Sequence, residues 1–257
     1  MIETPNVAGV SIVESSYPPG QRFRPHCDRR SRVSIVLSGS LREVALGREV
    51  HATAASVVVK PTDVRHCNVF GDAGARVLSI LSPCALLDGY DAGPAGRLDR
   101  WRWYHTGPPA AAALRLVRAI RWTPGDVVDG LWGLMGEILA SDAERDPASP
   151  PPWLLRTKEE LDDAFDQKPT VRALAAAAGV HPVYLSRAFR RHFGCAVTTY
   201  RRRLRVRAAA AELAATPTPA AQIALAVGFA DQSHMCRDFQ AELGISPGRL
   251  RVLLQRP

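Results

Sequence analysis

The chain has 257 residues, 46% hydrophobic and 23% charged, proportions that weigh against wholesale disorder, a collagen-like repeat or a bundle of membrane spans. At roughly 100–150 residues per domain this length suggests two domains. The net charge is +8 and lysine occurs only at Lys60, Lys158 and Lys168, so arginine carries the surplus. From residue 169 onward, thirteen Arg face four acids (Glu212, Asp231, Asp238 and Glu242), which puts +9 on the last third and −1 on the rest. A basic module joined to a near-neutral body is the electrostatic footprint of a polyanion binder attached to something else. Genome composition would explain Arg over Lys, but not this segregation.

The first twenty residues lack the basic start and apolar run of a signal peptide. No run of about 18 apolar residues occurs, and a soluble cytoplasmic protein is expected. Five scattered cysteines with no CxxC pair indicate neither a disulfide framework nor a zinc ribbon. Short runs rich in Val, Ile and Leu at 33–37, 41–46, 55–59 and 75–81 are separated by Gly39, Gly47, Pro61 and the 71–74 turn. Strands at intervals of about ten residues predict an antiparallel sandwich or barrel over residues 1–82.

Within 83–142 the pattern changes from Pro108 to helical spacing. Ala113, Leu114, Val117 and Ile120 form one stripe, and Leu131, Leu134, Met135, Ile138 and Leu139 form another after Pro124 and Gly125. Such stripes need a surface to cover, either on the same domain or on a second subunit. Trp101, Trp103 and Tyr104 beside Arg97, Arg100 and Arg102 make the densest aromatic and basic patch outside the last third, read as packing or as a ligand wall. Residues 143–153 include four prolines between 147 and 152 and read as a semi-stiff linker.

Residues 154–257 contain one pattern twice. An apolar helical stretch from Val171 to Ala178 leads through Gly179 and Pro182 to a second helix with Leu185, Phe189 and Phe193 on one face, closed by Gly194. A stretch from Ala221 to Val227 leads through Gly228 and Asp231 to a helix with Met235, Phe239 and Leu243, closed by Gly244. Each copy reads as a helix-turn-helix: glycine for the tight turn, proline for a first helical turn, aspartate for an N-cap. The face opposite the apolar one carries Val183, Ser186, Arg187 and Arg190 in the first copy and Gln232, Ser233, Cys236 and Arg237 in the second. Arg and Gln are side chains that bond guanine and adenine edges.

Between the copies, residues 197–215 hold no Pro or Gly and predict a helix of about 28 Å, close to the roughly 34 Å between successive major-groove faces. It carries Arg201, Arg202, Arg203, Arg205 and Arg207, too many for one face, so a division between phosphate contacts and internal pairs is expected.

Leu174, Gly179, Leu185, Phe189, Gly194, Tyr200, Arg205, Ile223, Gly228, Asp231, Phe239, Gly244 and Pro247 at these spacings resemble the DNA-binding domain of AraC/XylS-type bacterial transcription regulators. The resemblance covers about the last ninety residues. It departs at Met235, where an aromatic is usual, at Gln240, where Lys is usual, and at His181, where Ser is common. It implies base-facing roles for Val183, Ser186, Arg187, Gln232, Ser233 and Arg237. Phosphate or supporting roles fall to Arg190, Arg201, Arg202, Arg205 and His181.

Residues 20–82 resemble the small cupin barrel found in many such regulators. His26 and Asp28 stand at its first two ligand positions, Arg32 where a Glu would be, Gly39 at the closing glycine, and His66 after Pro61 at the later histidine. His26, Asp28 and His66 are therefore candidate effector or metal residues, with Arg32 opposing a metal. A pocket without metal, a divalent-metal site and a purely structural or dimerising barrel all stand as readings.

The expected fold is α+β in two domains, a cupin-like β-barrel with flanking helices and an all-α double helix-turn-helix. The expected function is a sequence-specific regulator of transcription responsive to a small molecule or metal, needing no cofactor to bind DNA. Promoter DNA, an effector, a second copy of the chain and, for an activator, RNA polymerase are its expected partners. The alternative is a metal-dependent cupin enzyme with an accessory DNA-binding domain. The sequence has no nucleophile elbow, phosphate-binding glycine loop or HExxH motif, and no catalytic residue is assigned.

Overall fold

The structure, a computed structural model, describes residues 2–7, 9–83, 98, 100–141, 150–167 and 169–255. Arg97, Cys84 and residues 143–149 of the expected linker lie outside these. Among the described residues, eight antiparallel strands form one sheet: β1 (Ile2–Val7), β2 (Val10–Tyr17), β3 (Arg22–His26), β4 (Arg32–Ala45), β5 (Arg48–Thr53), β6 (Val57–Lys60), β7 (His66–Leu81) and β8 (Arg102–Tyr104). The order is β1-β2-β7-β4-β6-β8, with β3 on β7 and β5 on β4.

Two of the expected strands, 33–37 and 41–46, are halves of the single long strand β4, which pairs with β7 along both halves. The register shifts between Val36 and Ser38 and again between Gly39 and Leu41, where the sheet folds over. Gly39 makes the fold possible, because its φ is +73° and a Cβ there would collide with the carbonyl of Gly74 on β7. One half of β4 and β7 then joins β2, β6 and β8, and the other half joins β3 and β5.

The sheet does not close into the expected barrel. β1 pairs only with β2 and the three-residue β8 only with β6, so among the described residues no ladder joins the two edges. Side-chain packing fills the space instead. Both faces of β4 are covered, which explains its continuous apolar run. Val33, Ile35 and Leu37 face a core shared with the helices, and Val36 and Leu41 face inward with Ala52, Phe70 and Val77.

Helices α1 (Pro108–Trp122) and α2 (Val127–Ser141) pack as a pair, joined by one 3₁₀ turn at Pro124–Asp126. Their stripes dock on the same chain: Leu114, Leu116, Val117, Leu131, Leu134, Met135 and Ile138 all enter the core shared with the sheet. From Pro152 onward the described residues are helical: α3 (Pro152–Asp163), α4 (Val171–Ala177), α5 (Pro182–Phe193), α6 (Val197–Ala215), α7 (Ala220–Ala226), α8 (Gln232–Leu243) and α9 (Pro247–Gln255). The last two residues expected in the linker, Pro152 and Trp153, are instead the first turn of α3, where a proline costs no hydrogen bond.

The two repeats have separate cores. Leu154, Leu161, Leu174, Leu185, Phe189 and Val197 form one around α3–α5. Val206, Leu213, Ile223, Phe229, Met235, Phe239, Leu243 and Leu250 belong to the large core that also contains the sheet and α1. The second repeat is thus welded to the amino-terminal part, with α1 packed against α8.

Candidate functional site

Each repeat presents its second helix by the same local devices. The side chain of Thr170 caps α4 by accepting from the N–H of Ala173. His181 caps α5, its Nδ1 accepting from the N–H of Val183 at 3.3 Å, so the departure from Ser keeps an N-cap acceptor. Asp231 caps α8 by accepting from the N–H of His234 at 2.7 Å. Gly194 and Gly244 end α5 and α8 in the left-handed conformation.

Leu185 and Phe189 anchor α5, and Met235 and Phe239 anchor α8, all fully buried. The anchors turn the opposite faces outward. Val183, Ser186, Arg187 and Arg190 on α5, and Gln232, Ser233 and Arg237 on α8, are exposed, while Cys236 is half-buried. The Ser186 hydroxyl donates to the carbonyl of Pro182 at 2.9 Å, which leaves its oxygen lone pairs facing outward as acceptors.

The arginine run of α6 turns mostly inward. Arg205 is 5% exposed and donates to the carbonyls of Phe165, Asp166 and Gln167, so it is a support and not a phosphate contact. Burial lowers its pKa, with nearby Arg201 adding to the effect. Arg202 and Arg203 both pair with the buried carboxylate of Glu242 on α8, at 2.5 and 2.9 Å. Arg201 donates to the carbonyl of Pro169 and Arg207 to that of His51 on β5. Of the alternatives left open for Arg201, Arg202 and Arg205, a phosphate contact or a supporting role, the internal hydrogen bonds and ion pairs show each making supporting contacts within the domain. The signal that sequence reasoning missed was Glu242, an acid 40 residues away that the fold brings under two of them. Arg190 keeps the exposed position expected of a phosphate ligand.

Residues 174–252 match the family described as a helix-turn-helix domain. The match takes in both repeats, from Leu174 in α4 to Val252 in α9. Over 100 residues the chain is 34% identical to the HTH-type transcriptional regulator GlxA of Rhizobium meliloti (strain 1021), covering 39% of this chain and 31% of that one. Over 101 residues it is 29% identical to the bifunctional transcriptional activator/DNA repair enzyme AdaA of Bacillus subtilis (strain 168), covering 39% of this chain and 48% of that one. The chain thus spans about a third and about half of the lengths of these relatives. A solved structure of the C-terminal domain of AraT, a response regulator from Geobacillus stearothermophilus, is 28% identical, covers 41% of this chain and 88% of its own, and superposes with a TM-score of 0.39. Within that match Val183 and Arg187 lie in the first half of α5, and Gln232, Ser233 and Arg237 in the first half of α8. Among the described residues no helix is long and apolar enough to cross a membrane.

Inside the fold of the sheet lies a cavity of about 240 Å³, lined by Tyr17, Phe23, Phe70 and Trp103 and by polar groups of β4, β6 and β7. The three residues singled out by the cupin resemblance meet at its mouth. The Nε2 atoms of His26 and His66 lie 3.8 and 3.7 Å from the two oxygens of Asp28, which is 9% exposed. Each Nδ1 lies 2.8–2.9 Å from a backbone carbonyl, of Arg24 and Val64 respectively. A carbonyl only accepts, so Nδ1 carries the hydrogen and, in a neutral ring, Nε2 turns its lone pair toward Asp28. Burial, with Lys60 adding to it, lowers the pKa of His66 and favours that neutral form. Arg32 takes one Asp28 oxygen at 2.6 Å, and the other is buried without a hydrogen-bond partner. The donor set therefore fits a divalent ion through two imidazoles and one oxygen, while Arg32 competes for the carboxylate.

Glu43, unremarked in the sequence, is fully buried behind two residues of the cavity lining, Lys60 and Trp103. Its carboxylate pairs with Lys60 and accepts from Trp101 Nε1 at 2.5 Å and Trp103 Nε1 at 3.3 Å. The aromatic patch is therefore an edge strand pinned to β4 by a carboxylate, which no local pattern announces.

Proposed function

We propose that this chain is a sequence-specific DNA-binding regulator of transcription that reads promoter DNA with α5 and α8 and takes its signal through the folded sheet. The observation that carries the reading is the doubled arrangement itself. Two capped helices with buried apolar anchors turn equivalent exposed side chains outward, and the 19-residue α6, about 28 Å long, spaces them. That spacing approaches one turn of the duplex, so the two helices suit successive major grooves on one side. In this reading Val183, Ser186, Arg187, Gln232, Ser233 and Arg237 face bases, and Arg190 meets phosphate.

Residues 1–82 form the sensing part and 154–257 the DNA-binding part, with a second copy of the chain as partner and RNA polymerase engaged where the promoter is activated. Selection of bound duplexes from a random pool tests this. The expected result is one bipartite motif with half-sites about one helical turn apart; binding with no sequence preference would sink it.

The unpartnered oxygen of Asp28 supports a second reading of the signal, a divalent ion held by His26, Asp28 and His66. An ion there would supply positive charge that competes with Arg32 for Asp28 and so reorders the cavity mouth. Metal analysis of the purified chain and of His66→Ala tests it: equal metal content in both would remove these residues from the site.

A further inference from the structure

A second and larger space lies outside the sheet cavity. A cleft of about 690 Å³ opens between the sheet, at β5 and β8, and the helices α3 and α6 of the DNA-binding part. That volume is in the range of small-molecule sites. One wall carries Arg48, His51, Trp101 and Trp103, and the facing wall carries Lys158, Tyr200 and Arg207.

The aromatic groups of this cleft have already spent their polar atoms. The indole N–H groups of Trp101 and Trp103 go to Glu43, and the Tyr200 hydroxyl donates to Asp162 at 2.7 Å. Lys158 lies over the Tyr200 ring and His105 stacks on Trp103, so ring surface for an occupant comes from Trp101 and the remainder of Trp103, which favours a flat aromatic partner.

The acids of the cleft are spent as well. Asp162 is held by Tyr200 on one oxygen and by Lys158 at 2.5 Å on the other, and Glu49 faces Arg42. Among the described residues neither Arg48 nor Arg207 has an ion-pair partner; Arg207 uses one N–H on the His51 carbonyl. Guanidinium groups on both walls thus have donors left for an anion, and a carboxylate or sulfonate matches their geometry.

We propose that this cleft is a ligand site for an aromatic acid, stacked on Trp101 or Trp103 with its anionic group toward Arg48 and Arg207. Such an occupant touches the sheet and the DNA-binding helices at once. The site adds an entry point for a signal to the regulator reading, but its occupation is measurable without DNA.

The test is calorimetric titration of the full-length chain, free of DNA, with 2-naphthoate and separately with inorganic phosphate. One naphthoate site is expected, with phosphate much weaker because it has no ring. Arg48→Glu, at an exposed position, should weaken naphthoate about tenfold or more, the loss of one charge-assisted hydrogen bond and its replacement by repulsion. Phe23→Ala, which alters only the cavity inside the sheet, should leave it unchanged. Absence of naphthoate binding by a folded chain, equal affinity for phosphate, or loss in Phe23→Ala with none in Arg48→Glu would each overturn the proposal. Failure of the chain to select a DNA motif would sink the regulator reading and leave this result standing.

Discussion

At the scale of single residues, the arginines of the DNA-binding part divide by burial into two kinds, and the kinds predict opposite phenotypes. Arg187 and Arg237 are exposed at the starts of α5 and α8. Replacing either with Ala should cost about 1–3 kcal/mol of specific binding and relax preference at the bases it reads. Competition titrations against single-base operator variants measure this, and an unchanged preference would remove the residue from the base-reading set. Arg205 is buried on three backbone carbonyls. Arg205→Ala leaves those acceptors stranded, at about 1–3 kcal/mol for an unsatisfied buried group, and should lower the denaturation midpoint. It should leave the salt dependence of DNA binding intact, whereas Arg190→Ala should lower the salt slope by about 1 while barely affecting stability. The opposite pattern would reverse the two roles. Composition could not make this division, because a buried and an exposed arginine are the same letter.

At the scale of elements, capping and turn chemistry were largely readable in advance. Pro182, Gly194, Asp231 and Gly244 occupy the helix starts and stops that their residue types favour. Asp231→Ala should cost about 1 kcal/mol of stability and weaken DNA binding through α8, since the first turn it caps carries Gln232 and Ser233. Asp231→Ser, which can still cap, should restore most of the loss; if it does not, the cap is not what Asp231 supplies. Gly228 shows what the local pattern left out. Its φ of +85° was foreseeable from the turn, but its backbone also packs on the carbonyl of Asp166, so a Cβ would strike the same loop that Arg205 holds. Sixty-two positions of chain separate Gly228 from Asp166, and only the packed repeats bring them together. The strands were less legible. β1, β2 and β3 carry no clean alternation, and β4 and β7 were read as pieces because a bend at Gly39 looks like a turn from sequence alone.

At the scale of the whole molecule, packing depresses histidine pKa values at two places, His66 in the cavity of the sheet and His51 and His105 at the cleft. His105 keeps some exposed surface, yet its ring is hemmed in by Trp103 and Ser56, and burial, aided by Arg207, holds its pKa well below 6.5. Burial also lowers His51, again with help from Arg207, and His66. A depressed histidine pKa means that the unfolded chain binds the proton first. Stability from these groups is therefore full above about pH 6.5 and is lost as the pH falls below it, by up to about 1.4 kcal/mol per pH unit for the buried His66 and His105 rings and by much less for the exposed, solvent-screened His51. Thermal unfolding between pH 7 and 5, compared with His105→Gln, measures this. The midpoint should fall with acidity in the parent chain and less steeply in the variant, and a flat parent profile would contradict the enclosure of these rings.

The sequence by itself determined the repeat, its helix boundaries, the placement of positive charge and the candidate base-reading side chains, because helical period, caps and turn glycines are local properties. It also singled out His26, Asp28 and His66, which the fold brings to one point. Only the tertiary structure decided that the sheet stays open, that α1 welds the second repeat to the sheet, that Glu242 and Glu43 are hubs, and that a cationic aromatic cleft separates the two parts. The reason is common to all four: a buried charge or a shared core is defined by partners up to 156 residues away. Burial and pairing depend on which distant surfaces meet, and no local spacing encodes that.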